Sequence, residues 1–411
     1  MIEPSFPGLA DVAVVGTGPA GLAAALCVAH VGSSAKVALI GPQPKPPSDG
    51  PGDTRSAALL TSSVDLLKRL GVWEAIVPQS APLKAIRIID DSKSLVRAPV
   101  IEFAASELGL EAFGYNIPNT VLSAALYARA TALLPALHPT TVDNIELSSS
   151  RAVLRCSDGT VVEARLVVGA DGRKSLCREA ASIAVSEWRY DQGAIATCFP
   201  HALPHRNIST EIHREAGSVT TVPLPDAHAS SLIWVGSTAE IDDLMRADDE
   251  AFGNHLSQRL GGVLGALGNV GPRAFFPVAG LSAKSLTGAR TALVGEAAHI
   301  LPPIGAQGLN LGLRDGAVLA DCVKDALRQG GDPGSDAVLG AYARAREFDI
   351  MSRTVGVDLL NRSLLTDFKP LQAARGIVLH GLKALPLLRR LVMRVGLGPP
   401  TALPSLMRRA S

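Results

Sequence analysis

The sequence predicts an α/β protein in three parts: a Rossmann-like nucleotide-binding lobe, an inserted β-sheet lobe, and a helical C-terminal region. Three observations carry this. An apolar strand runs into a glycine turn and a small-residue helix near the start; strand ends rich in glycine recur at 166–173 and 293–310; and strand-rich stretches separate these segments. The 411 residues exceed what one small core holds.

Each element follows from its local pattern. Residues 12–15, Val-Ala-Val-Val, fit a strand buried on both faces. Gly16, Gly18 and Gly21 then mark a turn into a helix over 20–31, and 36–40 form a second buried strand, completing one β-α-β unit. The uncharged stretch 12–29 has the length of a membrane span. Gly16, Gly18, Pro19 and Gly21 would break such a helix near its start, so strand plus helix explains it better. Residues 41–53 are dense in Pro and Gly and predict a surface loop before a helix over 62–70. Strands are expected between 83 and 103, a helix over 121–134, and a hairpin over 151–168 with Asp158-Gly159 at its turn. A second strand-rich region covers 183–277, including strands at 218–222 and 231–235. The expected division is a discontinuous nucleotide-binding domain (1–82, 104–182 and 278–335), a substrate-binding sheet domain (83–103 and 183–277) and a C-terminal helical region (336–411).

The formal net charge of +1 gives no reason to expect nucleic acid. Five cysteines without a C-x-x-C pair suggest neither a disulfide framework nor a metal site, and point to a reducing compartment. The first seven residues lack the basic start and apolar run of a secretory signal, so a cytoplasmic location is expected.

Three loops carry the chemistry. In Gly16-Thr-Gly18-Pro19-Ala20-Gly21 the first glycine permits a tight turn, the second lets backbone approach a pyrophosphate, and the third lets helix pack on strand. The helix start supplies N–H donors and partial positive charge. An acid usually ends the second strand of such a unit and binds a ribose; here Gly41 stands in its place. Asp171-Gly172 closes another apolar strand, where the carboxylate can accept from a ribose hydroxyl or from loop N–H groups, or simply end a strand. Gly295-Glu296 closes a third. Beyond it, Gly308, Leu309 and Asn310 begin a helix whose free N–H groups can stabilise negative charge.

These loops, in this order, resemble the fingerprints of the FAD-dependent aromatic hydroxylases, the group A flavoprotein monooxygenases, and the resemblance extends along nearly the whole chain. It implies a glutathione-reductase-type FAD-binding lobe. In the family the third loop usually reads Gly-Asp, its acid bonding a ribityl hydroxyl, and Glu296 can reach the same oxygen with a shifted loop. Asp171 and Arg173 carry over near the FAD pyrophosphate, with a nicotinamide, NADPH or NADH, that visits rather than resides. Pro302 and Pro303 fall beside the flavin ring. The segment Asp53-Thr-Arg55 with the residues after it resembles a family helix whose Arg approaches the FAD, a plain surface arginine being the alternative. His299 more often supports the loop than acts in catalysis. The reaction implied is reduction of FAD by the nicotinamide, reaction with O2, and transfer of one oxygen atom to an electron-rich ring carbon. No side chain is singled out as catalytic, because the flavin carries this chemistry.

Softer segments, His205 to Glu211, 221–225 and Pro404-Ser-Leu406 among them, look like the ubiquinone-biosynthesis branch. A physical point agrees. A buried aromatic carboxylate needs a cation, yet the strand 218–224, expected to line the substrate cavity through Thr220, Val222 and Pro223, has no charged or Tyr residue. A lipophilic neutral phenol fits better than a soluble aromatic acid. A hydroxylase of a soluble aromatic and a non-catalytic flavin scaffold of a biosynthetic complex are the other readings. A flavin halogenase is disfavoured because there is no Trp-x-Trp-x-Ile-Pro segment. After Asp367 every charged residue is basic, set among leucines and valines. That tail reads as helices packed with a solvated basic face, or as a peripheral contact with the inner, anionic face of a membrane.

Overall fold

The apolar run that opens the chain becomes the strand Ala10–Val15, the centre of a largely parallel sheet. The computed structural model describes residues 8–32, 35–44, 54–91, 99–214, 217–365, 380–398 and 402–409. Across this first sheet the order is Thr287–Gly288, Thr291–Leu293, Val161–Gly169, Ala10–Val15, Val37–Ile40 and Ala136–His138. Val12 and Val14 point into a core with Leu22, Leu26 and Leu313, whereas Ala13 and Val15 point into a second core with Leu154, Val162 and Cys177. Burial on both faces is why the strand has no polar alternation. Each fully buried valine contributes roughly 1.5–3 kcal/mol.

The first helix, Pro19–Val31, lies against the long helix Gln307–Arg328. A Cβ added to Gly316 would come 2.8 Å from the Ala24 Cα, and one on Gly312 would come 3.2 Å from the Ala20 Cβ. Small residues on both faces therefore set the close approach.

The second sheet has the order His299–Ile300, Ala274–Ala283, Val185–Pro200, Ala229–Ser237, Gly217–Pro223, Ile208–Arg214, Ala85–Asp90 and Ile101–Ala104. One face is covered by the helices Thr238–Arg246 and Asp249–Leu260, through Ile195, Val219, Leu232, Trp234, Ile241 and Phe252. The other face turns toward the nucleotide-binding lobe: Ser231 Oγ lies 2.9 Å from Ser56 Oγ, and Asn361 Nδ2 donates to Gln192 Oε1 at 3.0 Å.

Several expectations shift. The expected boundary at 277/278 falls inside the strand Ala274–Ala283, and the strand His299–Ile300 joins the second sheet, so the lobes exchange backbone rather than meet at a linker. Residues 56–60, read as lying before a helix, form a strand paired with Gly114–Pro118; Ala81–Pro82 completes a small third sheet. The helix that follows is Thr61–Arg69. Of the expected loop at 41–53, residues 45–53 lie outside the described residues, Asp53 among them. The 151–168 hairpin forms as expected, with Asp158 Oδ1 accepting from Thr160 N across the turn.

The C-terminal part contains the helices Asp336–Leu365 and Pro386–Leu397 and a turn at Ser405–Met407. Leu382 and Met393 pack on Ile101 and Phe103 at the edge of the second sheet. Leu406 and Met407 enter the core of the nucleotide-binding lobe, where Ser405 N donates to Asp321 Oδ2 at 2.8 Å. No helix among the described residues is long and apolar enough to cross a membrane.

Candidate active site

Gly16 has φ +115°, and a Cβ there would sit 2.2 Å from the Ala170 carbonyl oxygen, so only glycine lets the first loop touch the strand end before Asp171. Gly18 caps the helix Pro19–Val31 with no side-chain hydrogen bond, is exposed, and has open space where its Cβ would project. A second helix start, at Gln307, also lacks a side-chain cap, and Gly308 opens onto free space. Two uncapped helix starts with their N–H groups free make an anion-binding cradle.

Side chains tie the three loops together. Buried Arg178 donates to the Arg173 carbonyl and to the Ala297 carbonyl, both at 2.9 Å, joining the Asp171 loop to the Gly295 loop. A Cβ on Gly295 would approach the Ala20 Cβ to 2.9 Å, which brings that loop onto the first helix. Glu296 is exposed and has no hydrogen-bond or ion-pair partner among the described residues.

Other expected residues have different surroundings. Asp171 accepts from Ser175 Oγ at 2.6 Å and from Cys177 N at 3.0 Å, so of its expected partners the loop groups are the ones present. Half-buried Gly172, with φ +79°, forms the turn after it. The Asn310 side chain is fully committed: Oδ1 accepts from Leu60 N and Ser63 Oγ, and Nδ2 donates to the Ala58 and Ala306 carbonyls. It clamps the third loop to the strand Ser56–Leu60, so Asn310 serves a ligand only through position. Half-buried Leu309 packs on the lobe core. Arg55 precedes a strand rather than sitting on a helix, and its guanidinium lies 5.0 Å from the Phe276 ring centre, at the junction of the lobes. Pro302 is buried and Pro303 exposed in the loop before Ile304, which packs on Val357. Thr220 and Val222 share the half-open face of the second sheet, but Pro223 does not: the pleat turns it to the opposite face, and its carbonyl accepts from Asn116 Nδ2 at 2.9 Å.

The absent acid at position 41 has a steric reason. A Cβ on Gly41 would lie 2.8 Å from both Thr17 Oγ1 and Cγ2, and Thr17 Oγ1 donates to the Pro42 carbonyl. Thr17 fills the space such a side chain would need.

Behind the third loop lies a charged network of which the sequence flagged only His299. Asp315 Oδ2 accepts from Gly295 N at 3.0 Å and pairs with His299 Nε2 at 2.7 Å, while Oδ1 accepts from Arg346 Nε at 2.7 Å. Arg346 and Arg314 both donate to Asp349 Oδ2 at 2.6 Å. All five side chains are buried. Burial alone would raise the Asp315 carboxyl; His299, Arg346 and the Gly295 N–H more than offset it and hold it down to about 2. The spacing of Asp315, Arg346 and Asp349 gave no local pattern to read. His299 supports the loop, as expected, and does not open onto it.

Residues 9–349 match the family described as FAD binding domain. Ubiquinone hydroxylase UbiL of Rhodospirillum rubrum is 34% identical over 95% of this chain and 90% of its own length. The 3-demethoxyubiquinol 3-hydroxylase of Escherichia coli is 30% identical over 94% of this chain and 98% of its own. The chain belongs to the FAD-dependent ubiquinone-biosynthesis hydroxylases. It is an FAD-dependent monooxygenase. Among solved structures, p-nitrophenol 4-monooxygenase PnpA of Pseudomonas putida superposes with a TM-score of 0.76 over 98% of this chain and all of its own, at 18% identity, which shows the shared fold. The site fits FAD: open space at Gly18 and Gly308, two uncapped helix starts and the unpartnered Glu296 are what a dinucleotide with two phosphates and a polyol requires.

Proposed function

We propose that this hydroxylase acts on a polyprenylated, uncharged phenol in ubiquinone biosynthesis, with NADH or NADPH as reductant and O2 as the oxygen source. One observation carries the reading. On the half-open face of the second sheet, the strands that pass Thr220, Val222, Ile233 and Ala196 contribute no Lys or Arg, so nothing on them neutralises a substrate carboxylate. When bound, FAD would supply the redox chemistry that lets the nicotinamide's electrons activate O2, one oxygen atom going to the ring and the other leaving as water. The residues of this chain hold the cofactor through the Gly16–Gly21 turn, the Gln307 helix start and Glu296, while the sheet orients the ring and the helix Asp336–Leu365 helps to exclude water. Substrate-stimulated NAD(P)H oxidation with a short-chain prenylphenol, against the same assay with 4-hydroxybenzoate, tests it; a preference for the acid would overturn it.

The reading includes a peripheral membrane contact. Phe348, Met351, Val355 and Leu359 are 51–62% exposed along one helix, and Leu387, Leu391 and Val395 are 58–80% exposed along another. Arg353 ties the two together by donating to the Val395 and Gly396 carbonyls. Exposed Arg390 and Arg394 border the stripe, whereas Arg389 is engaged with Glu107 at 2.7 Å. Apolar side chains with a basic rim suit an anionic lipid surface. Changing Leu387, Leu391 and Val395 to Glu should abolish sedimentation with phosphatidylglycerol vesicles and leave flavin content intact; equal sedimentation by wild type and variant would refute the contact.

A further inference from the structure

We propose that Glu211, oriented by His213, is the specificity-determining residue of the substrate cleft, accepting the hydroxyl of a neutral phenol and turning away aromatic acids. This rests on the reading that the half-open face of the second sheet receives the substrate ring. Register places the pair there: Glu211 lies opposite Thr220 and His213 opposite Ser218, so both point to the face that carries Thr220 and Val222. His213 Nε2 and Glu211 Oε1 are 2.7 Å apart, and the two side chains are 6% and 16% exposed. Glu211 Oε2 has no partner among the described residues. His213 Nδ1 is buried without one.

A carboxylate with one oxygen fixed by His213 and the other unused, directly between Ile88 and Thr220 on the neighbouring strands, is a stronger acceptor than the hydroxyls and aliphatic side chains beside it on this face. An incoming aromatic carboxylate has no proton to give the unshared Glu211 oxygen and no Lys or Arg on this face of the strands to pair with, so it meets an acceptor where it needs a donor. A phenol meets the reverse: its O–H donates to Glu211, and the hydrogen bond pushes electron density into the ring, which electrophilic oxygen transfer requires. Burial by itself would raise the Glu211 carboxyl, but His213 holds it below its ordinary range, so it is ionised at neutral pH.

The test uses the FAD-loaded enzyme, with Kd values for a short-chain 2-prenylphenol and for 4-hydroxybenzoate read from flavin fluorescence. Wild type should bind the prenylphenol and reject the acid. Glu211→Gln keeps an uncharged acceptor, so the prenylphenol should bind about tenfold more weakly while 4-hydroxybenzoate gains measurable affinity. Glu211→Asp should retain the discrimination, and His213→Gln should shift it in the direction of Glu211→Gln by less. An unchanged ratio of the two Kd values in a Glu211→Gln enzyme with normal flavin content overturns the proposal. If that variant does not retain FAD, the wild type decides, because equal binding of both probes also overturns it. A wild type that binds neither probe contradicts the substrate reading itself.

Discussion

At the start of the helix Pro19–Val31 the cofactor site is shaped mainly by backbone and small residues, whereas the loop before Gln307–Arg328 is held from behind by five buried ionisable side chains. Gly16 rests on Ala170, and the Gly18 turn has no side-chain cap. The Gly295 N–H, by contrast, donates to Asp315, which His299 and Arg346 hold in turn, with Asp349 and Arg314 beyond. A turn fixed by steric necessity survives changes elsewhere in the chain. A turn fixed by a charge network depends on every partner, because removing one strands another in low dielectric.

The largest effect should come from that network. Asp315→Ala leaves Arg346 and His299 without their acceptor and should cost about 3–5 kcal/mol of stability, with loss of flavin, as measured by urea unfolding and flavin absorbance; a cost within error would show that both loops are held alike. Next, Gly18→Glu should eliminate flavin binding by placing bulk and negative charge where backbone meets the pyrophosphate, yet shift apoprotein stability by no more than about 0.5 kcal/mol, because the position is open. Normal flavin content in that variant would displace the pyrophosphate from this turn. Glu296→Ala should weaken FAD binding by about 1.5–3 kcal/mol, while Glu296→Asp stays near wild type; identical dissociation constants for wild type and the Ala variant would remove Glu296 from the site.

The smallest effect is the pH dependence. The folded Asp315 carboxyl is lowered from 3.8 to about 2, so its contribution is complete above 3.8 and disappears as pH falls through about 2. This corresponds to about 2 kcal/mol. Wild type and Asp315→Asn should therefore converge in their pH slopes above pH 5 and diverge between pH 4 and 2, as followed by acid unfolding. Parallel acid limbs would mean that Asp315 does not titrate with the fold.

The same contrast explains what could be read in the sequence. Gly16 and Gly21 were legible because each answers a local steric demand, Gly18 because its place in the motif marks the open approach to a phosphate, and the strands at 10–15 and 161–169 because burial on both faces leaves an unbroken apolar run. Arg178 was not, since its acceptors, the Arg173 and Ala297 carbonyls, meet only in the fold. Asp315 lies one turn beyond the helix start that the sequence marked at 308–310, but nothing local announced Arg346 as its partner. Asn310 was placed correctly and its partners were missed, because a helix start reveals free N–H groups and not what the side chain clamps. Pro223 was misassigned by one step of the pleat, and Gly41 made sense only once Thr17 stood beside it.

Ser405–Met407 close a loop of unusual span. The core that contains Val12 and Val14 also contains Leu406 and Met407, and Asp321 of the long helix holds Ser405. During synthesis the chain emerges in the order of its sequence, so this lobe cannot be completed until Leu406 and Met407 have left the ribosome, long after the β-α-β unit has formed. The second sheet's helical core, which draws on residues between about 195 and 264, can assemble well before that. The half built on the second sheet should thus gain protection from hydrogen exchange earlier on a translating chain than the half built on the first sheet, which precedes and follows it.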